Sequence, residues 1–146
     1  MILKALSVRQ PWAWAIVQGL KPWENRSRRF NYRGALLIHS GKTLVRGEYE
    51  AASSFIERLS GRRPPAHPEL GGIVGAALLI DCAEPLRRDE GWRGAGHFGL
   101  RLERGTALPF RALSGARGLF KVEITDDEER RLQLVGLLDP VRGGRG

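Results

Sequence analysis

The sequence predicts a mixed α+β domain, a small β-barrel or curled sheet with flanking helices. Short apolar runs of strand length recur along the chain, amphipathic helical stretches interrupt them, and glycine or proline punctuates most junctions. At 146 residues the chain suits one domain with one hydrophobic core.

Residues 2–8 read as a first strand, with Ile2, Leu3, Leu6 and Val8 apolar. Pro11 suits the first turn of a helix, where its missing N–H costs nothing. That helix runs through WAWAIVQ and stops at Gly19, which can take the left-handed conformation. Residues 23–27 are expected to be extended, with side chains alternating between faces. GALLIHS, residues 34–40, reads as another strand. Thr43 is the expected N-cap of a helix reaching Leu59, because Val45, Tyr49, Ala52, Ile56 and Leu59 recur at helical spacing and Gly61 follows. GRRPPAHPELGG is a basic loop and the segment most open to flexibility or variation. Residues 73–80 form the most apolar run and the expected central strand, although periodicity alone does not separate it from a buried helix. Residues 97–103, 106–113 and 118–124 supply further short strands. Thr125 and Glu128 have capping-box spacing ahead of a short helix through Leu134. The tail VRGGRG has a disordered composition. The expected organisation is one domain over residues 1–125, then a short C-terminal helix and flexible basic tail over 126–146.

Charge narrows the function. Lys and Arg total 24 against 16 Asp and Glu, a net charge of +8, which favours a polyanionic partner because phosphate neutralisation releases condensed counterions. No run approaches the roughly 20 apolar residues that span a bilayer, so no membrane partner is expected. The single cysteine, Cys82, and the lack of an export signal point to a cytoplasmic setting. His39, His67, His97 and Cys82 are scattered without ligand spacing, so no metal is expected. Neither GGIVG nor GWRGAG has a phosphate-loop or dinucleotide fingerprint, and no cofactor is expected.

The informative stretch is ALSVRQPWAWAIVQGLKPWENRSRR. Lys21, Glu24 and Arg26 are close enough to share one short extended element. Lysine supplies a compact ammonium and arginine a planar fork suited to phosphate or a base edge. A carboxylate between them can orient both, accept from a base amino group, or act as a general base. Gln10 can read a base edge or close the helix start. Trp12 and Trp14 can stack on bases, but two residues apart on a helix they cannot share a face, so one belongs to the core. Trp23, beside Pro22, reads as packing, and Trp92 is the weakest aromatic candidate. His39 is a strand-end residue placed for a cleft rim. Arg26, Arg28 and Arg29 can hold phosphate, with alternation putting Arg26 and Arg28 on one face. Arg62 and Arg63 can extend that footprint.

Gly19, Lys21, Glu24 and Arg26 satisfy the pattern G-x-K-x-x-E-x-R, preceded by LSVRQPWAWAI. In these residues the chain resembles the ASCH family, grouped with the PUA-like RNA-binding superfamily. GALLIHSGK, HFGLRL and GARGLFKVE also look like family segments, so the resemblance covers residues 5–123. It implies a β-barrel with helices packed around it and a cleft where the motif meets the first helix. It also implies RNA, or a modified nucleotide or nucleoside, as ligand. Gln10, Trp12, Lys21, Glu24, Arg26, Arg28, Arg29 and His39 are then the candidate binding residues. Some relatives are ribonucleases, and one branch hydrolyses an N-acetylated cytidine with a Lys, a Thr and a distant Glu. Lys21 matches that Lys, whereas Glu24 stands in place of the Thr, which puts that triad in doubt here. The alternative reading is therefore an enzyme in the same cleft, with Lys21 and Glu24 catalytic. A third is a protein-interaction module whose Arg62 and Arg63 dock an acidic partner.

Overall fold

A computed structural model describes residues 1–140, and the tail expected to be disordered lies outside the described residues. The chain runs β1 (Ile2–Val8), α1 (Trp12–Val17), β2 (Trp23–Arg26), β3 (Gly34–Ser40), α2 (Arg46–Ser60), β4 (Gly72–Ala83), β5 (Phe98–Ala112), β6 (Leu119–Glu123) and α3 (Asp126–Leu134). The strands form a single six-stranded sheet in the order β2-β5-β4-β3-β1-β6. Only β1 and β3 pair in parallel. The most apolar strand, β4, lies inside the sheet between β3 and β5, as its composition predicts.

Strand alternation divides the core between the two sheet faces. Leu6, Val8, Leu36, Ile38 and Val74 join Ala13, Ile16 and Val17 of α1. Leu3, Ala5, Leu37 and Ile73 join Val122 and Leu132 on the face covered by α3. Helix α3 is thus anchored in the same sheet as the rest of the domain. Its capping box is formed: the Thr125 hydroxyl accepts from the Glu128 amide, and the Glu128 carboxylate accepts from the Thr125 amide. Glu128 also accepts two hydrogen bonds from Arg111, each at 2.9 Å, fastening α3 to β5. Burial alone would push the Glu128 carboxyl up, but Arg111 and the Thr125 amide hold it below its ordinary value.

The expected small β-barrel is corrected to an open six-stranded sheet. Register shifts interrupt the β4–β5 ladder after Ile73, Ala76 and Leu79, and the β3–β4 ladder after Ile38. Such irregularities bend and twist a sheet. Strands β2 and β6 nevertheless remain its two edges, and β6 pairs β1 only as far as Leu6. Two strands expected on either side of Arg104 are one continuous strand, β5. Arg104 takes φ 54° there, and a Cβ on Gly105 would overlap the Ile16 carbonyl oxygen. On β4 Gly75 pairs with Ala107, and a Cβ there would stand 2.5 Å from Val17 Cγ1. These two glycines let α1 lie close against the sheet.

Helix α2 starts later than expected. Val45, not Thr43, occupies the N-cap, and no side chain caps it. The chain before it is tied back to β1 by the Gly41 amide, which donates to the Val8 carbonyl. The buried stripe of α2 is Tyr49, Ser53 and Ile56, while Val45 and Leu59 are exposed. Gly61 ends the helix at φ 79°. The basic Pro-rich loop that follows is held down: Ala66 O accepts from Arg46, Pro65 O from Tyr49, and Glu69 O from Gln10.

Thr125→Ala is expected to cost about 1 kcal/mol through removal of the cap. Gly105→Ala is expected to cost about 1–3 kcal/mol, because α1 must lift from β5. Chemical denaturation of both variants reads these values, and an unchanged Gly105→Ala midpoint would remove the close-packing assignment.

Candidate functional site

The helix stop at Gly19, with φ 75°, is what turns Lys21 inward. The Leu20 and Lys21 amides both donate to Ala15 O, and the Lys21 side chain runs beneath Trp12, its ammonium 5.6 Å from the ring centroid. Lys21 Nζ donates to the Trp23 carbonyl and, at 2.9 Å, to Glu24 Oε1. Arg26 Nε donates to Glu24 Oε2 at 3.2 Å, and its terminal nitrogen donates to the Ser7 carbonyl at 2.8 Å. Lys21 and Glu24 are both buried. Burial by itself would raise the Glu24 carboxyl, but the adjacent Lys21 and Arg26 charges and their hydrogen bonds hold it below its ordinary value. The family-like motif residues thus form one connected ionic chain from the end of α1, through edge strand β2, to the end of β1.

Above this chain lies a cavity of about 350 Å³. Lys21, Glu24 and Asn25 line it together with Trp12, Phe55 and Trp92. The aromatic wall is continuous: Trp12 and Phe55 meet edge to face at 5.8 Å, and Phe55 and Trp92 do so at 5.9 Å. Apolar walls around a few convergent polar groups are the usual make-up of a small-molecule pocket. Asp89 and Arg93 complete the wall on the side of residues 84–97.

That loop is fixed by residues with no expected role. Asn25 Nδ2 donates to the Trp92 carbonyl at 2.9 Å, and Asn25 Oδ1 accepts from the Gly94 amide at 2.8 Å. Arg93 is buried, lies 4.9 Å over Trp23, and donates to the Glu84 carbonyl. A Cβ on Gly99 would collide with the Arg93 guanidinium, so that glycine provides its berth. Asn25 and Arg93 therefore hold Trp92, the weakest tryptophan candidate by sequence, facing the cavity across Phe55. The available signal was Asn25's place inside the motif. Phe55 has no local signal, because only the packing of α2 brings it to α1.

A second cavity of about 560 Å³ adjoins the first and shares Trp12, Glu24 and Asn25 with it. It occupies the seam where the sheet fails to close, between the end of β1 and edge strand β2. Ser7, Arg9, Arg26, Ser27, Thr43 and His97 give it a polar lining.

The remaining candidates fall elsewhere. Gln10 lines neither cavity. It is buried, accepting from the Trp14 amide at 2.9 Å and donating to Glu69 O at 3.0 Å, so its amide closes the start of α1. His39 is not on a rim: it is buried between the Ser7 hydroxyl at 3.0 Å and the Leu113 carbonyl at 2.6 Å. Trp14 faces away from Trp12 and lies under the Arg62 guanidinium. Strand β2 ends at Arg26, so strand alternation does not extend to the following arginines. Arg28 is exposed, and Arg29 pairs with Glu84 over the Phe98 ring. Arg63 pairs with Glu50 and Glu57 of α2.

The ASCH domain family model matches residues 6–105. Among solved structures, the chain is similar to the crystal structure of a point mutant of the ASCH protein from Zymomonas mobilis. The TM-score is 0.51 at 14% identity, covering 88% of this chain and 94% of that one. No curated protein matches the sequence. Among the described residues, no helix is long and apolar enough to cross a membrane.

Because the folded-state carboxyl of Glu24 lies below its unfolded value, its stabilisation is present above the unfolded value and is lost as pH falls through the folded one. Glu24→Gln should therefore destabilise the protein most near neutral pH, with the gap to wild type closing on acidification. Denaturation at a series of pH values measures that gap, and a pH-independent difference would contradict the ionic assignment. Asn25→Ala should accelerate hydrogen exchange at the Gly94 amide while leaving β4 amides protected.

Proposed function

The chain belongs to the ASCH family, and we propose that its aromatic cavity binds a single unstacked base of RNA, or of a modified nucleotide or nucleoside. The observation that carries this reading is the pairing of a stacking wall, Trp12, Phe55 and Trp92, with the buried Lys21–Glu24 pair at its base. Base–aromatic stacking tolerates every base, whereas a fixed ammonium and carboxylate reward particular donors and acceptors on its edge. A-form duplex edges are hard for side chains to reach, so a base in a single strand, a loop or a free nucleotide is the appropriate target. The net charge of +8 favours such a polyanion. Arg26 and the exposed Arg28 are the proposed phosphate contacts, while Arg29 engages Glu84.

A second reading, hydrolysis of RNA or of an N-acylated nucleoside in the same cavity, has the buried Lys21 ammonium in the cavity wall as its support. The depressed Glu24 carboxyl favours binding over this alternative, since a general base works best with a pKa near the working pH. Product formation from RNA or N-acylated nucleosides, abolished in Lys21→Ala with the fold intact, would establish the enzyme.

Single-stranded RNA is expected to bind with an affinity that falls with salt. Trp12→Ala should weaken it by about 1–3 kcal/mol, and Lys21→Ala should weaken it at every salt concentration. Arg28→Ala and Arg26→Ala should each flatten the slope of log affinity against log salt, by about 0.7 for every phosphate left without its cation. Fluorescence anisotropy across a salt series measures all four. Unchanged slopes in both arginine variants would refute the phosphate assignment, and unchanged affinity in Lys21→Ala would move the base elsewhere.

A further inference from the structure

We propose that the polar cavity in the seam of the sheet is a phosphate subsite, and that the ligand is a nucleoside phosphate spanning both cavities rather than a bare nucleoside. The inference rests on the base-binding reading of the aromatic cavity. Four observations carry it. The two cavities are contiguous, since Trp12, Glu24 and Asn25 line both. Their chemistry differs: the first has three aromatic rings, whereas the second has the Arg9 and Arg26 guanidinia and the Ser7, Ser27 and Thr43 hydroxyls. Among the described residues, Glu24 is the sole carboxylate lining the second cavity, and it is already bound by Lys21 and Arg26. Finally, Arg9 is well exposed and its one ion pair among the described residues, to exposed Glu48, is long at 3.7 Å, an interaction of little energetic weight.

Arginine forks and hydroxyls are a donor set for phosphate oxygens. The size of each cavity, about 350 Å³ and about 560 Å³, gives separate room for a base and for a sugar with phosphate. Trp12 stands between them as a common wall. Arg26 already serves Glu24 and the Ser7 carbonyl, so Arg9 is the more readily redirected of the two cations, with Thr43 in the same lining. The segment before α2, tied to Val8 by Gly41, therefore frames the subsite, and this is the location Thr43 takes in place of the helix cap.

The test compares the four common ribonucleosides, their 5′- and 3′-monophosphates, and the corresponding dinucleotides by calorimetry on the full chain. Wild type should prefer at least one phosphorylated form over its nucleoside by about tenfold, the scale of one charge-assisted hydrogen bond. In Arg9→Ala that preference should fall to near unity, and Thr43→Ala should reduce it in part. Preference for monophosphates would identify a free nucleotide, and preference for dinucleotides alone would identify a phosphodiester within a strand. Nucleosides binding in a Lys21-dependent manner with no phosphate preference, or a preference that survives Arg9→Ala, would overturn the subsite and leave the base pocket standing. Binding by none of the probes would overturn the base pocket and the subsite together. Both variants alter residues at the chain surface, and a wild-type melting temperature in each verifies the fold.

Discussion

The buried ionic chain from Lys21 through Glu24 to Arg26 and the Ser7 carbonyl is the constraint on which the rest of the site depends. Lys21 and Glu24 are withdrawn from water, and the partly exposed Arg26 completes the pairing of the carboxylate. Removing one partner from such a buried set costs about 3–5 kcal/mol, although replacing the whole set with apolar groups can be neutral. The chain is therefore better understood as a positioning device than as a source of net stability. It fixes where β2 lies relative to β1, and so sets the width of the opening between them.

That opening follows from the sheet's failure to close. Register shifts interrupt the long β4–β5 pair, and β2 meets β1 through a side chain, Arg26, rather than through a backbone ladder. A completed ladder would fill the seam. An arginine bridge instead leaves space on either side of Glu24 and Asn25, and each side acquires different walls. Helices α1 and α2 contribute aromatic rings above the chain, and the ends of β1 and β2 contribute hydroxyls and guanidinia beside it. Asn25 links the two regions, because its amide also holds the loop that carries Trp92.

The basic composition is distributed more widely than a single groove. Arg29, Arg63, Arg111 and Arg131 pair with acidic residues, and Arg62 covers Trp14. Several arginines thus serve as local tethers rather than as free surface cations. Long-range attraction of a polyanion depends on the sum of these charges rather than on any one of them. Arg9, which lies outside the motif, has among the described residues only the long pair to exposed Glu48.

Much of the fold was legible in the residues themselves. The limits of β1 and β3, the helix stops at Gly19 and Gly61, the centrality of β4 and the capping box of α3 all follow from local rules of apolar pattern, glycine conformation and short-range hydrogen bonding. Thr43 misled because a good capping residue is decisive only when the chain around it is free to start a helix, and Gly41 is bound to β1. The two strands expected here left Arg104 and Gly105 between them, and packing against α1 accounts for the strand continuing through them. Within the site, the spacing of Lys21, Glu24 and Arg26 located the ionic chain, since residues so close in sequence meet through local geometry. Closing the start of α1 was open to Gln10 from its position, but its bond to the Glu69 carbonyl, the burial of His39 and the facing of Phe55 and Trp92 involve partners dozens of residues away. No local pattern encodes them: they were decided by how the sheet bends and by which helices its two faces can bury.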